Sequence, residues 1–383
     1  MKVRSRKLII ACLCLMMITI PYISPTANNI KNLIIEGLIS FWLLTRHIKT
    51  RVVKNNRPII LFVFTMVFCT FINLFLSSRL VNALVTGYSY VLIFFVIDYF
   101  MIKKQRNIVL FQIFKVVFLF ALVELVAIIA SNGQGIGSNS VLKYYLLGNK
   151  FFVSYTHMFL LALLYELKGL TDSKKIRILI YLFGSIYSII ICHVVDCNTG
   201  IIGSVSIIVF CALMRIHKTI HFFLAKPIIF LLFFVGSTFL LVGTDIIISN
   251  PFFQEIFYKY SHTNAILTGR LEMFDIAISA IFLKPFWGYG INSTIVSDTL
   301  SWGNAQNGLL KNLLDYGLIG TFALLFLCYD SLKCSYIKKS NSGIGMLGFL
   351  YSMALCSTVE INIGFLFFFG LALLKYSQSD LEQ

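Results

Sequence analysis

Long apolar stretches alternate with short polar ones along almost the whole chain. The apolar runs fall near 8–26, 30–45, 58–77, 80–102, 108–130, 151–167, 178–196, 200–214, 227–248, 307–329, 343–358 and 361–374. A helix needs roughly twenty apolar residues to cross a bilayer, and several runs are short against that length. The pattern predicts an all-α, polytopic membrane protein with about twelve transmembrane helices, all belonging to one transmembrane domain over residues 1–383.

The polar interruptions are short, with two exceptions. SNGQGIGSNSVLKYYLLGNK (131–150) is rich in Gly, Ser and Asn and predicts an ordered polar turn. Residues 249–306, between the ninth and tenth runs, are too long for a plain connector and are the expected seat of function. Within them, TGRLEMFDIAISAIFLKP reads as a helix capped by Thr268 and ended by Pro285. Glu272, Asp275 and Ser279 share one face of that helix. Leu271, Phe274, Ile278, Ile281 and Phe282 spread over the other, as in a helix lying at a membrane interface. FWGYG follows, an aromatic anchor between glycines. The next run opens with NAQNGLLKNLLDYGLIG (304–320), where Asn307, Lys311 and Asp315 recur every four residues on one helix face. Two readings stand side by side: Lys311 and Asp315 neutralise each other, or the stripe walls a hydrophilic cavity.

Composition strengthens the membrane reading. Hydrophobic residues make up 58% of the chain and charged ones 13%, against about 25% charged in a soluble domain. A net charge of +16 would suggest nucleic acid in a soluble protein. Here its placement excludes that partner. If the N-terminus is cytoplasmic, 23 of the 32 Lys and Arg fall in MKVRSRK, RHIKTRVVKNNR, KKQRN, KGLTDSKKIR, RIHKTIHFFLAK, DSLKCSYIKK and the tail. That bias puts both termini in the cytoplasm, with lipid headgroups as the partner of the basic excess. The signal-like N-terminus has too few apolar residues before Cys12, so it reads as an uncleaved first helix. Nine cysteines form no CxxC pair and support neither zinc nor a disulfide framework. There is no DxD, HExxH, GxSxG or P-loop, which argues against a nucleotide-sugar transferase of soluble type, a zinc protease, a hydrolase or an ATPase. No metal or cofactor is called for.

What remains is a set of polar groups at outer helix ends, among them Lys150, Asp196, Asn198, Asp245, Arg270, Asn307, Lys311, Asp315 and Glu360. Arg270 is the sharpest candidate. A guanidinium beside a helix N-terminus adds its charge to free backbone amides, a combination suited to phosphate oxygens.

The order of these motifs resembles the O-antigen polymerase and ligase family, and within it the Wzy-type polymerases of capsule repeat units. The resemblance rests on TGR, then PFWGYGIN, then NAQNGLLKNLLDYGLIG, preceded by GNKFFVSYTHMFLLALL (148–164) and DCNTGIIGSVSIIVF (196–210), and covers residues 145–325. It implies a glycosyltransferase on the outer face of a bacterial cytoplasmic membrane. Its donors would be polyprenyl-pyrophosphate-linked oligosaccharides, its partners membrane lipids, a flippase and chain-length regulators, and it would need no cofactor. By the resemblance, Arg270 holds the lipid pyrophosphate, Gly288 and Gly290 form a P-x-x-G-x-G turn, and Gln306-Asn307 stands where the family has His-Asn. Lys150, Asn198, Thr199, Gly288, Gly290, Lys311 and Asp315 would touch substrate, and Glu272, Asp275 or Asp298 would take the acceptor proton. The loop 249–306 would be the active-site lid. This chain departs from the family twice. Cys197-Asn198-Thr199-Gly200 replaces Ser-Arg-Thr-Gly, and Gln306 replaces the histidine, which favours polymerase over ligase. A glycan ligase and a flippase-like transporter are the alternatives. The single large loop has no counterpart in the first half of the chain, which weighs against the transporter.

Overall fold

The computed structural model describes residues 2–18, 20, 24–46, 50–73, 80–102, 106–138, 143–167, 173–242, 270–300, 305–337 and 343–376. The described chain is helical apart from a two-residue antiparallel pairing, Gly137–Ser138 with Lys143–Tyr144, in the 131–150 turn. The helices are α1 (Lys2–Leu15), α2 (Pro25–Leu44), α3 (Thr50–Asn55), α4 (Arg57–Ile72), α5 (Leu80–Ile102), α6 (Arg106–Ala130), α7 (Lys150–Glu166) and α8 (Lys174–Val194). They continue as α9 (Asn198–Ile216), α10 (Lys218–Leu224), α11 (Pro227–Val242), α12 (Arg270–Leu283), α13 (Ile295–Leu300), α14 (Gly308–Ile337), α15 (Ile344–Cys356) and α16 (Phe365–Lys375).

Every predicted apolar run carries a helix, but they are not twelve equivalent spans. By length and apolarity five described helices can cross a bilayer: Leu80–Met101, Arg106–Ala130, Lys175–Val194, Asn198–Ile216 and Gly308–Cys334. A sixth arises if α10 and α11, bent by 68°, count as one broken span. α15 and α16 have 13 and 11 residues, so they are only about 20 and 16 Å long. Nearly every residue of both is buried by protein. A helix shielded from lipid in this way need not match the bilayer's thickness.

Small residues let these helices approach closely, as expected where lipid gives no hydrophobic drive between helices. A side chain at Gly203 on α9 would meet Met158 and Cys356, and one at Gly345 on α15 would meet the Ala162 carbonyl at 2.2 Å. Ser352 donates to the Gly203 carbonyl at 2.7 Å, and Ser188 and Ser204 bond at 2.9 Å. Side-chain caps start several helices: Asn149 accepts from Phe152 N on α7 and Ser24 from Ala27 N on α2. The outer surface is apolar. Phe118, Leu119, Val126 and Ile129 on α6 and Phe183, Ile186 and Ile190 on α8 are exposed, as a lipid-facing surface requires.

Polar contacts sort the bundle into two ends. At one, Arg106 pairs with Glu166, which also accepts from the backbone N–H of Gly343 and Gly345 at the head of α15. Lys375 meets Asp330 and the Asn55 carbonyl, and Asn56 bridges Asp98 and Tyr376. At the other, Asn73 and Thr70 meet Gly288 and Ile291, and Asn307 meets Thr358. The first end carries the segments that charge bias predicts to be cytoplasmic, the second those predicted outside. The charge bias supplies the orientation, and labelling tests it. In a background lacking the native cysteines, a thiol at Ser297 should react with an impermeant reagent in intact cells, and one at Lys333 only after lysis. The opposite pattern would invert the molecule.

Candidate functional site

The site is built on a break in α14. Gly317 sits at φ 61°, ψ −163° within the helix, a conformation essentially confined to glycine. A break in a membrane helix frees backbone groups that lipid cannot satisfy. Here the segment Pro285–Gly290 satisfies them. Leu318 N donates to the Pro285 carbonyl at 2.8 Å and Ile319 N to that of Phe286 at 3.3 Å. In return Tyr289 N donates to the Leu314 carbonyl at 2.9 Å and Gly290 N to that of Asp315 at 2.7 Å. Gly288, at φ 61°, is pressed so closely on α14 that a Cβ would lie 2.5 Å from the Leu314 carbonyl oxygen. The resemblance made Gly288 and Gly290 substrate contacts. In the structure both are buried, and their backbones bond to α14 and Asn73.

The polar stripe on α14 has a similar division of labour. Asn307 is fully buried; its carbonyl oxygen caps Leu310 N at 3.0 Å and its amide donates to the Thr358 carbonyl at 3.0 Å. Its side chain thus positions the start of the helix. Lys311 and Asp315 form a 2.7 Å pair. Asp315 also accepts from Ser293 N (3.1 Å) and Asn292 N (3.3 Å), and Lys311 donates to the Ser293 carbonyl (3.2 Å). The pair therefore clamps the 290–294 turn to α14. The Asp315 carboxylate thus holds three donors. Lys311 has three N–H donors and uses two among the described residues.

Beside this clamp lies a cavity of about 180 Å³. Lys311, Asp315, Asn312 and Gly308 of α14, Asn292 of the turn, Thr86 and Tyr90 of α5, and Ile361 and Ile363 line it. An ammonium, two amides, a hydroxyl and aromatic surface suit a sugar ring and its anionic substituent. Both readings of the stripe thus hold together: Lys311 and Asp315 are a pair, and that pair forms a cavity wall. Thr86 and Tyr90 lie on α5, more than two hundred residues earlier, and no sequence signal pointed to them. Asn312 could have been found as a further polar residue at bilayer depth.

α12 covers the other side of α14's first half. Met273, Phe274, Ala277 and Ala280 are buried against Leu310 and Leu314, with Val296 and Ala305. The helix thus docks on α14 through one part of its apolar face, while Phe282 and Leu283 remain exposed. Glu272, Asp275 and Ser279 share an exposed face, as predicted. Arg270 is the first residue of α12; its side chain and Thr268 lie outside the described residues. Asp298 is exposed and accepts from the Thr294 hydroxyl at 2.8 Å. Gln306, at φ 38°, is half-buried immediately before the Asn307 cap.

The remaining candidates gather at the heads of α7 and α9. Lys150 donates to the Asp196 carbonyl at 3.2 Å, and Lys143 lies 3.9 Å from the Asp196 carboxylate. Asn198 is exposed at the first position of α9. The Thr199 carbonyl accepts from the Cys356 thiol at 3.5 Å. One residue on, the Ser357 carbonyl accepts from Gly308 N at 2.7 Å. The 356–358 segment therefore joins the start of α9 to the start of α14, and Glu360 just beyond it bears on Cys197, as Lys150 does. Asp245 lies outside the described residues.

Part of this assembly falls within a family match. Residues 183–325 match the O-antigen ligase family. No curated protein matches the chain. The match runs from within α8, through α12 and the Pro285–Gly290 segment, to just beyond the α14 break. It includes Asn198, Thr199, Arg270, Gln306, Lys311 and Asp315, and leaves Lys150 and the 356–363 segment outside. Members of this family are membrane enzymes that transfer glycosyl groups.

Proposed function

We propose that the protein is a polysaccharide polymerase. It joins polyprenyl-pyrophosphate-linked oligosaccharide repeat units on the outer face of the cytoplasmic membrane. The observation that supports this most is the cavity at the predicted outer end of the bundle, walled by Lys311 inside an O-antigen ligase domain and flanked by α12 with Arg270 at its head. In the reaction, an acceptor hydroxyl oxygen bonds to the donor's anomeric carbon as the bond from that carbon to the pyrophosphate oxygen breaks. The pyrophosphate leaves with the electron pair, so cationic stabilisation matters more than a general acid. Arg270 and Lys311 supply it. The hydroxyl proton passes to one of the exposed carboxylates of Glu272, Asp275 or Asp298.

A glycan ligase is the second reading, favoured by the description of the matching family. Gln306 weighs against it, since an amide does not titrate near neutral pH and cannot serve as a histidine base would. The lipid-linked glycans that accumulate on deletion of the gene separate the readings. Single repeats on the outer leaflet mean polymerase, long lipid-linked chains mean ligase, and single repeats held inside mean a flippase.

Gln306 is expected to position a sugar hydroxyl or phosphate oxygen. Gln306→Ala should slow polymerisation by about ten- to a hundredfold, the scale of one or two buried hydrogen bonds. Gln306→Glu should be slower still, because it sets an anion beside the departing pyrophosphate. Rates from purified lipid-linked repeats decide it. Wild-type rates for Gln306→Ala would separate Gln306 from the family's histidine position.

A further inference from the structure

The larger cavity, about 360 Å³, lies at the opposite end of the bundle from the glycan site. It forms where α7 ends, α8 begins and α9 bends into α10. Three cations line it: Arg177 of α8, Arg215 of α9 and Lys218 of α10. One carboxylate lines it too, Glu166, and that group is already engaged by Arg106 and by the N–H groups of Gly343 and Gly345. The cavity is therefore strongly and locally positive.

Arg215 is held in a fixed pose. Its Nη2 donates to the Tyr165 carbonyl at 2.7 Å and to the Tyr181 hydroxyl at 3.2 Å. Its guanidinium carbon stands 4.4 Å from the Tyr181 ring centre and 5.1 Å from that of Tyr165. A guanidinium has five N–H donors, so Nε and Nη1 keep three for something else. The Arg177 and Lys218 side chains make no hydrogen bond or ion pair among the described residues. Charge with no partner among the described residues, beside an immobilised arginine fork, is an arrangement for an anion with several acceptor oxygens.

We propose that this cavity binds a phosphate-bearing anion, seated on Arg177, Arg215 and Lys218. The surroundings favour a phosphate carried on a lipid. Ile176 and Leu179 of α8 and Leu213 and Ile216 of α9 are exposed apolar side chains flanking the cavity residues in sequence. They offer acyl chains a surface while the headgroup meets the cations, the usual form of a basic lipid site between helices. The proposal does not depend on the glycan reaction, since this end shares no residue with that site.

Full-length protein in phosphatidylcholine nanodiscs tests it, with phosphatidylglycerol added in one arm and both phosphatidylglycerol and inorganic phosphate in the other. Native mass spectrometry reads the lipid retained. Wild-type protein should retain phosphatidylglycerol over phosphatidylcholine. Arg177→Gln and Lys218→Gln should each weaken retention about fivefold, the contribution of one cation at a lipid surface. Lys175→Gln, a neighbouring exposed charge outside the cavity, should leave it unchanged. Displacement of the lipid by inorganic phosphate would make a free phosphate the occupant and keep the site. Equal retention of the two lipids without phosphate binding would overturn the proposal, and so would an equal loss in Lys175→Gln.

Discussion

Arg270→Ala is expected to lower polymer formation by about a hundred- to a thousandfold, the usual loss when a group stabilising transition-state charge is removed. Single lipid-linked repeats should accumulate while the protein is made and inserted normally. Folding should survive because α12 is held by Met273, Phe274, Ala277 and Ala280 against α14, a contact that begins three residues beyond Arg270. The expectation rests on charge. In the proposed reaction the departing pyrophosphate gains negative charge, and a cation at the head of α12 would add to the helix's free amides there. Lys at this position should rescue poorly, since an ammonium is a point charge and cannot span two phosphate oxygens as the guanidinium fork does. The measurement is polymer formed from purified lipid-linked repeats by wild type, Arg270→Ala and Arg270→Lys at matched expression. Normal polymer from Arg270→Ala would remove this residue from the mechanism.

The sequence was most informative where hydrophobic pattern alone decides the outcome. Each apolar run became a helix, and the exposed Glu272, Asp275 and Ser279 follow from a 3.6-residue period. It was less informative about helix length relative to the bilayer. The α15 and α16 runs look like spans, yet they are short and enclosed by other helices, and apolar composition cannot distinguish lipid from protein as the surroundings. The break at Gly317 was hidden for a different reason. DYGLIG reads as continuing helix, and the break exists because a segment about thirty residues earlier brings its own backbone donors and acceptors to it. The stripe of Asn307, Lys311 and Asp315 was legible as one face. That its members hold Thr358, Ser293 and Asn292 could not be read from spacing. At the other end Arg177, Arg215 and Lys218 counted only as topology-setting charge, because the cavity they share is made by four helix ends meeting in space.

The joint between Pro285–Gly290 and α14 should be the most substitution-sensitive point of the site, and Gly317→Ala tests it. At φ 61°, ψ −163° an alanine is strained by about 1–3 kcal/mol from backbone conformation alone. Its Cβ would also lie 2.3 Å from the backbone carbon and oxygen of Phe286. Neither atom is the end of a flexible side chain, so the whole segment must move. Movement would break the bonds from Leu318 and Ile319 to the Pro285 and Phe286 carbonyls, and those returned by Tyr289 and Gly290. It would also draw the 290–294 turn away from Lys311 and Asp315, opening the cavity wall. The expected result is a fall of several degrees in melting temperature in detergent, faster proteolysis within 285–300 and loss of polymer. Gly288→Ala should behave alike, since its Cβ would meet the Leu314 carbonyl from the other side of the same joint. Gly236→Ala provides the contrast. It lies within α11 with nothing within 4 Å of an added Cβ, so helix propensity should make it neutral or more stable by up to about 1 kcal/mol. If Gly317→Ala melts with wild type and Gly236→Ala, the backbone joint does not hold α14 open. The cavity beside Lys311 would then need another explanation.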